Sequence, residues 1–354
     1  MPGRSGVRAA IAAGLLAIGG AGVASAMADG AGAEMPAAAY QAWCTASKLC
    51  TYSIRDTGVG IEDLKTGAAE WAGVDEPLSP NQVRAAGGPV AYYPAMLEGI
   101  AVAVHLPGID GHDVDLRGIT LGEIFSGVIT NWNDRRIRAT NARHPMPKDL
   151  PITLCVPARP SGTSWDFSDY LGKVSGEFRG RVGAASMLPR WRAPRIVRTA
   201  HVTEVGECVE TNPGAITFLP FSDAMRENLA HDIVAVGKRE DVTVRTRKGT
   251  RVVQKEVFMH PTTGDIQAAG HFAASRIGRD LTMDLTNSKA KGAYPITVVT
   301  YTIVRRDKRM TPATRKTLRY FLSDEAQRML TGLGYAPLPP SLLSRARAQL
   351  QRAR

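Results

Sequence analysis

A short segment in the middle of the chain is the clearest candidate for binding chemistry. The run Ser161-Gly162-Thr163-Ser164 joins a strand-like stretch, Ile152 to Val156, to an amphipathic helix pattern. A glycine between hydroxyl residues lets a ligand approach the backbone, and the unpaired N–H groups and dipole of a helix N-terminus favour negative charge. The pattern predicts a site for phosphate or a similar oxyanion. The alternative is that Ser161 only caps a helix.

Catalytic signatures are missing from the sequence. The seven histidines are dispersed, and neither a His-Glu-x-x-His zinc motif nor a Gly-x-Ser-x-Gly nucleophile elbow occurs. Ser161 has no evident histidine to act as its base, and His105 lies among apolar residues of a strand pattern. We therefore predict a protein that is not an enzyme and has no catalytic residue, metal or cofactor.

The N-terminus has the three regions of a secretory signal peptide. Arg4 and Arg8 precede an apolar stretch from Ala9 to Ala24, and Ala24-Ser-Ala26 resembles a cleavage site. We expect residues 1–26 to be removed after Ala26, which leaves a soluble periplasmic protein. No later segment has the length and apolar character of a membrane-spanning helix.

Because the protein is predicted to be exported, its four cysteines are candidates for disulfide bonds. An even number in an oxidising compartment favours disulfides, and three pairings are open: we favour Cys44–Cys50 and Cys155–Cys208. The first would close a short local loop, and the second would join the strand before Ser161 to a helix pattern around Thr203 to Thr211. A zinc site is the rival interpretation, but no C-x-x-C pair supports it.

Composition limits the partners. The 354 residues, 44% of them apolar, suffice for two domains of ordinary globular character, and the net charge is +11. Lysines and arginines are scattered among acidic residues, apart from the run Ser344 to Arg354, which we interpret as a solvated helical face. For an exported protein we predict no nucleic-acid partner.

Strand-like and helix-like patterns alternate along the chain, which predicts an α/β fold. The clearest strand patterns are Trp71 to Val74, Ile100 to Leu106, Ile216 to Leu219 and Ile296 to Val304. Helix patterns run from Ile61 to Ala69, from Thr120 to about Ser126, where Glu123 completes a capping-box spacing, and from Pro312 to about Leu330.

These residues together resemble a known family, the periplasmic phosphate-binding proteins of ABC phosphate importers, often called PstS. The resemblance covers most of the mature chain, and its pieces occur in the family's order and spacing. They are Gly99 to Gly108, Thr120 to Gly127, Asn131 to Asp134, Ser161 to Ser164, Pro213 to Ile216, Asp284 to Asn287 and Ala293 to Thr297.

The resemblance implies a type II periplasmic-binding-protein fold, in which two α/β lobes close on a ligand by hinge motion. It places lobe I at residues 27–97 plus 296–354 and lobe II at residues 98–295. It also implies capture of inorganic phosphate or a related oxyanion between the lobes, delivery to an ABC-type permease in the membrane, and a monomeric protein. The alternative is a degenerate anion site in a protein that serves as a sensor or interaction module.

The family's ligand-binding residues transfer to named positions. Ser161, Gly162 and Thr163 match the phosphate-cradling turn, and Thr57 matches a serine that donates to the ligand. Thr57 is also a candidate N-cap for the helix pattern before Ile61, and the two roles are compatible. Asp75, in Val-Asp-Glu-Pro-Leu-Ser, matches an acidic residue that accepts a hydrogen bond from protonated phosphate. Sulfate, which has no proton to donate, would be disfavoured by this carboxylate.

The chain also departs from the family pattern. Glu34 and Met35 replace a hydroxyl and an aromatic residue, so a carboxylate stands beside the expected anion unless it turns away, is protonated or pairs with an arginine. Pro157 replaces the usual arginine, and Arg159 replaces the usual aspartate. Arg159 either supplies the missing guanidinium to the ligand or pairs with Glu34 and closes the cleft without one.

Overall fold

The computed structural model describes residues 27–246, 249–273 and 277–353, and the predicted signal peptide lies outside these residues. The strands in the described part are β1 Ala28–Gly32, β2 Cys50–Ile54, β3 Trp71–Val74, β4 Val90–Val104, β5 Asp115–Arg117, β6 Thr153–Pro157, β7 Ile196–Thr199, β8 Ala215–Pro220, β9 Ala235–Thr246, β10 Gly249–Met259 and β11 Thr297–Arg305. The helices are α1 Ala37–Ser47, α2 Thr57–Thr66, α3 Pro80–Ala85, α4 Gly118–Phe125, α5 Arg135–Arg138, α6 Gly162–Val174, α7 Gly176–Arg181, α8 Val205–Thr211, α9 Phe221–Arg226, α10 Thr263–Ala273, α11 Pro312–Phe321, α12 Asp324–Gly332 and α13 Pro340–Arg352. The predicted α/β class is confirmed.

One long strand connects the two halves of the main sheet. The eight-stranded order is β2-β1-β3-β11-β4-β8-β6-β7, and β10-β9-β5 form a smaller sheet. The first part of β4 pairs with β11 as far as Gly99, and the rest, from Ile100 onward, pairs with β8. On either side of this pair, β1 to β3 and β6 to β8 form parallel sets.

Each half of the sheet carries its own aromatic core. Tyr40, Trp71 and Phe321 meet in edge-on or tilted contacts in the first half, with ring centroids 5.0–5.3 Å apart. In the second half Phe167 stacks on Phe218 at 4.3 Å, and Phe125 packs edge-on against Phe167 at 4.9 Å. Such buried rings contribute much of a core's stability, so each set of parallel strands has its own rigid support.

Both favoured disulfides are present. Cys44–Cys50 ties the end of α1 to the start of β2, and Cys155–Cys208 ties β6 to α8. The second bond lies directly before the Ser161 turn in the chain and anchors the strand that leads into it.

Three predicted helices have different bounds in the structure. The pattern from Ile61 to Ala69 belongs to α2, Thr57–Thr66, because Asp56 caps the helix earlier and Gly67 ends it in the left-handed conformation. Helix α4 begins at Gly118, so Thr120 is an interior residue and Glu123 pairs instead with Arg136 at 3.3 Å. The pattern from Pro312 to Leu330 forms two helices, because Ser323 interrupts it and caps α12 by accepting a hydrogen bond from the Ala326 N–H, 3.1 Å away. At α4 the Glu123 carboxylate therefore has a different partner from the one that its spacing suggested.

Candidate functional site

The loops that follow five strands converge on one cavity of about 340 Å³. They follow the carboxyl ends of β1, β2, β3, β6 and β7, where parallel α/β sheets form their binding crevices. All eight predicted ligand-binding residues line this cavity: Glu34, Met35, Thr57, Asp75, Arg159, Ser161, Gly162 and Thr163. The structure therefore brings the predicted set together, and their contact with a ligand stays a prediction.

Several hydrogen bonds hold the loop after β1 rigidly. Tyr52 Oη donates to the Ala33 carbonyl and Tyr335 Oη donates to the Met35 carbonyl, each at 2.7 Å. The Met35 side chain is buried, so it packs into the core where it replaces the family's aromatic residue. The Glu34 side chain, in contrast, faces the cavity and is partly exposed.

Helix α2 presents its N-terminus to the cavity. Its cap is Asp56, whose carboxylate accepts from the Val59 N–H at 2.8 Å, and Thr57 is the first helical residue. The alternative role of Thr57 as the helix cap is therefore wrong by one position. Thr57 is buried against the cavity, where its hydroxyl and the first free amides of a ten-residue helix are available to an anion.

Helix α6 contributes the second N-terminus. Ser161 is its cap and accepts from the Ser164 N–H at 3.1 Å, so the capping interpretation of Ser161 holds. Capping and ligand binding are compatible, because the amides of Gly162 and Thr163 lie in the first turn and have no helical acceptor. The N-terminus of α6 can therefore be capped by Ser161 and still offer amides to an anion.

Asp75 lies across the cleft from this turn. A Cβ placed on Gly162 would lie 2.8 Å from the Asp75 Cβ and would overlap its carboxylate, so only glycine allows this approach. The carboxyl is buried, and its Oδ1 has no hydrogen-bond partner among the described residues. Burial, reinforced by the nearby carboxyls of Glu76 and Glu34, holds the pKa of Asp75 well above its usual range.

Glu34 finds its partner in a histidine. His201 Nδ1 lies 3.9 Å from Glu34 Oε1, and Arg159 forms no ion pair with any part of the chain that the structure describes. The hypothesis that Arg159 closes the empty cleft by pairing with Glu34 is therefore wrong here. Burial raises the pKa of Glu34, while His201 opposes that shift and Glu204 adds to it.

Two arginines supply positive charge. Arg159 and Arg55 both line the cavity with exposed side chains. Arg55 and His201 were missed in the sequence because neither belongs to a recognisable motif. Their places directly after β2 and shortly after β7, at strand ends, are the only signal that could have found them.

These groups together suit an oxyanion that carries a proton. Two helix N-termini and two arginines favour negative charge, while a buried carboxyl can accept a hydrogen bond in its ionised form, which would penalise a fully deprotonated ligand. Within the described residues, no group of three or more His, Cys, Asp or Glu side chains is arranged to hold a metal ion. In the same residues no helix has the length and apolarity needed to span a membrane.

The fold and the cleft define a two-lobed solute-binding protein, with a sheet region of parallel strands on either side of the ligand cavity. Comparison with known proteins places it more narrowly. A family model described as a PBP superfamily domain matches residues 10–325, and the chain belongs to this superfamily.

Named relatives point in the same direction. The phosphate-binding protein PstS of Xylella fastidiosa is 26% identical over 308 residues, which cover 86% of this chain and 78% of the relative. PstS of Haemophilus influenzae is 24% identical over 328 residues, which cover 90% and 91%. A solved phosphate-binding protein from Stenotrophomonas maltophilia shares the fold, with a TM-score of 0.64, 17% identity and coverage of 91% and 93%. The resemblance to PstS and the two-lobed fold are confirmed, and all three relatives are named as binding proteins, in agreement with the predicted absence of enzyme activity.

Proposed function

We propose that this protein captures inorganic phosphate in the cleft and delivers it to an ABC-type permease in the membrane. The observation that carries the proposal is the convergence of two helix N-termini, two arginines and the buried carboxyl of Asp75 on one cavity. The names of the PstS relatives support phosphate as the ligand.

The role of each residue follows from its position. The amides at the starts of α2 and α6 and the hydroxyl of Thr57 donate to phosphate oxygens. Arg159 supplies the guanidinium that Pro157 cannot, and Arg55 adds a second cation. The ionised carboxylate of Asp75 accepts a hydrogen bond from the O–H of protonated phosphate, so sulfate leaves this buried carboxylate without a donor and binds less well.

The lobes and the cellular location are part of the proposal. Lobe I comprises residues 27–97 plus 296–354 and lobe II residues 98–295, with the boundary inside β4 serving as a hinge. The protein is exported, cleaved after Ala26 and monomeric. Its two disulfides support an oxidising compartment.

Isothermal titration of the anion-stripped mature protein tests this function. We expect tight phosphate binding, competition by arsenate, and rejection of sulfate and molybdate. Repeating the phosphate titration at two pH values reports on the phosphate proton that is donated in the hydrogen bond to Asp75. A folded protein, verified by near-ultraviolet circular dichroism, that binds none of the four anions contradicts the proposal.

A further inference from the structure

A second, larger cavity lies at the opposite end of the first half of the sheet. It has a volume of about 1210 Å³ and is bounded by the start of β4, the end of β11 with the loop that follows it, and the end of α13. Strand β11 runs antiparallel to β3, with Tyr301 opposite Val74 and Ile303 opposite Ala72. Arg305 therefore lies beyond the amino end of β3, whereas Asp75 follows its carboxyl end at the phosphate cleft.

This cavity, which we term the basic groove, has a strong excess of positive charge. Two carboxylates line it, Asp280 and Asp307, against six cationic side chains: Arg279, Arg305, Arg306, Lys308, Arg309 and Arg352. Arginines predominate, and their planar guanidinium groups match phosphate oxygens in pairs.

One arginine is built into the floor of the groove. Arg305 donates to Asp307 at 2.8 and 2.6 Å and to the Ala86 carbonyl at 2.9 Å. A Cβ on Gly87 would overlap this guanidinium, and Gly87 also has a positive φ of 80°. The turn at Gly87 therefore leaves space for the Arg305 guanidinium. Arg305 pairs with Asp307, so Asp280 is the remaining carboxylate of the groove.

The other five cations are exposed and form no ion pair within the described residues. The negative end of a helix dipole attracts cations, and α13 ends at this groove. Arg315 already donates to the Leu350 and Ala353 carbonyls there, at 3.0 and 2.9 Å. Repulsion among five unpaired cations around one concavity costs free energy unless an anion binds there.

We propose that the basic groove binds a linear polyanion of phosphate groups, such as inorganic polyphosphate. The cations come from three separate segments, so one small anion cannot reach them all, whereas a chain of phosphates can contact several at once. The concave shape suits a chain better than a flat bilayer surface. This inference rests on the groove alone and is independent of phosphate binding in the cleft.

The experiment compares charge reversals inside and outside the groove. Medium-chain inorganic polyphosphate is titrated into the wild-type protein, into R306E/R309E, and into R138E/R198E, which reverses two exposed arginines on α5 and β7. We expect about tenfold weaker binding and a smaller salt dependence only for the groove variant, since each lost phosphate contact lowers the slope by roughly 0.7. If the groove variant fails to fold, R306Q/R309Q replaces it.

Orthophosphate titration of the same variants separates the two sites. Unchanged cleft binding in both double variants is expected, so loss of polyphosphate binding alone reports on the groove. Equal weakening in both variants, no polyphosphate binding by the wild-type protein, or groove-dependent binding only to phosphatidylglycerol vesicles each overturns the inference.

Discussion

The carboxyl of Asp75, directly after β3, lies against the α-carbon of Gly162, the first residue of α6, so the two residues join opposite halves of the sheet. A Cβ on Gly162 would lie 2.8 Å from the Asp75 Cβ, closer than real Cβ contacts allow. Glycine at this position thus permits both the approach of a ligand to the α6 amides and the placement of the acceptor for its proton.

Replacing Gly162 by alanine should weaken phosphate binding about tenfold or more, the equivalent of about 1.4 kcal/mol, because Asp75 must move away from the site. Titration calorimetry measures the change. The matched control is G180A, at a helical glycine whose Cβ would meet no atom within 4 Å. Equal effects of the two substitutions would show that the Asp75 contact is irrelevant to binding.

Asp75→Asn should relax the discrimination between phosphate and sulfate. The amide keeps the shape of the side chain but has N–H groups that can donate hydrogen bonds to sulfate oxygens. We expect weaker phosphate binding and measurable sulfate binding in competition titrations. The apo variant should also melt at a higher temperature near neutral pH, because the raised pKa of Asp75 means that folding must add a proton to this carboxyl, and the amide removes that cost. Retained rejection of sulfate would locate the selectivity in another residue.

The neighbouring carboxyl of Glu76 should make stability depend on pH. Both its oxygens are buried, and burial raises the pKa of Glu76 to about 7 although the nearby Gln82 side chain opposes the shift. Because the folded state holds this proton more tightly than the unfolded state, stability should be highest at acidic pH and fall as pH rises from the usual carboxyl range to about 7. Urea unfolding across this range should show a flatter profile for E76Q than for the wild-type protein. Parallel profiles would assign the dependence to other groups, such as Asp166, whose pKa burial also raises.

Glu34→Gln should strengthen phosphate binding several-fold, and more at higher pH, because it removes a negative charge beside the anion. A positive charge on His201 would stabilise the Glu34 carboxylate, whereas the nearby carboxyls of Glu204 and Asp75 disfavour its negative charge. The control is E62Q, which removes an exposed carboxylate of α2 that pairs with Lys65 outside the cavity. Weaker binding by E34Q would mean instead that Glu34 accepts a hydrogen bond from a protonated oxygen of the ligand.

Arg159→Ala should weaken phosphate binding at least about tenfold, as expected for loss of a charge-assisted hydrogen bond of about 1.5–3 kcal/mol. R55A tests the second cavity arginine, and R138A, on the surface of α5, controls for net charge. An R159A protein that binds its anion unchanged would leave Arg55 as the principal cation of the site.

The sequence alone predicted much of the site because its signals are local. The Ser161 turn, the Cys44–Cys50 pair and the strand that ends at Val74 follow from residues that are near neighbours in the chain. The helix caps were predicted less well. Asp56 rather than Thr57 caps α2, and Glu123 pairs with Arg136 instead of completing a capping box. Local hydroxyls and carboxylates often have several partners of similar energy, and tertiary packing selects among them.

What the sequence determined by itself was the α/β class, the family and the loop ends that carry binding residues, since these depend on periodicity and short motifs. Only the tertiary structure decided which side chains face each other. The strand order brought His201, not Arg159, next to Glu34, placed Arg55 in the cleft, and gathered arginines from three segments into the basic groove. Contacts between distant segments depend on how the sheet orders its strands and packs its helices, which no short stretch of sequence encodes.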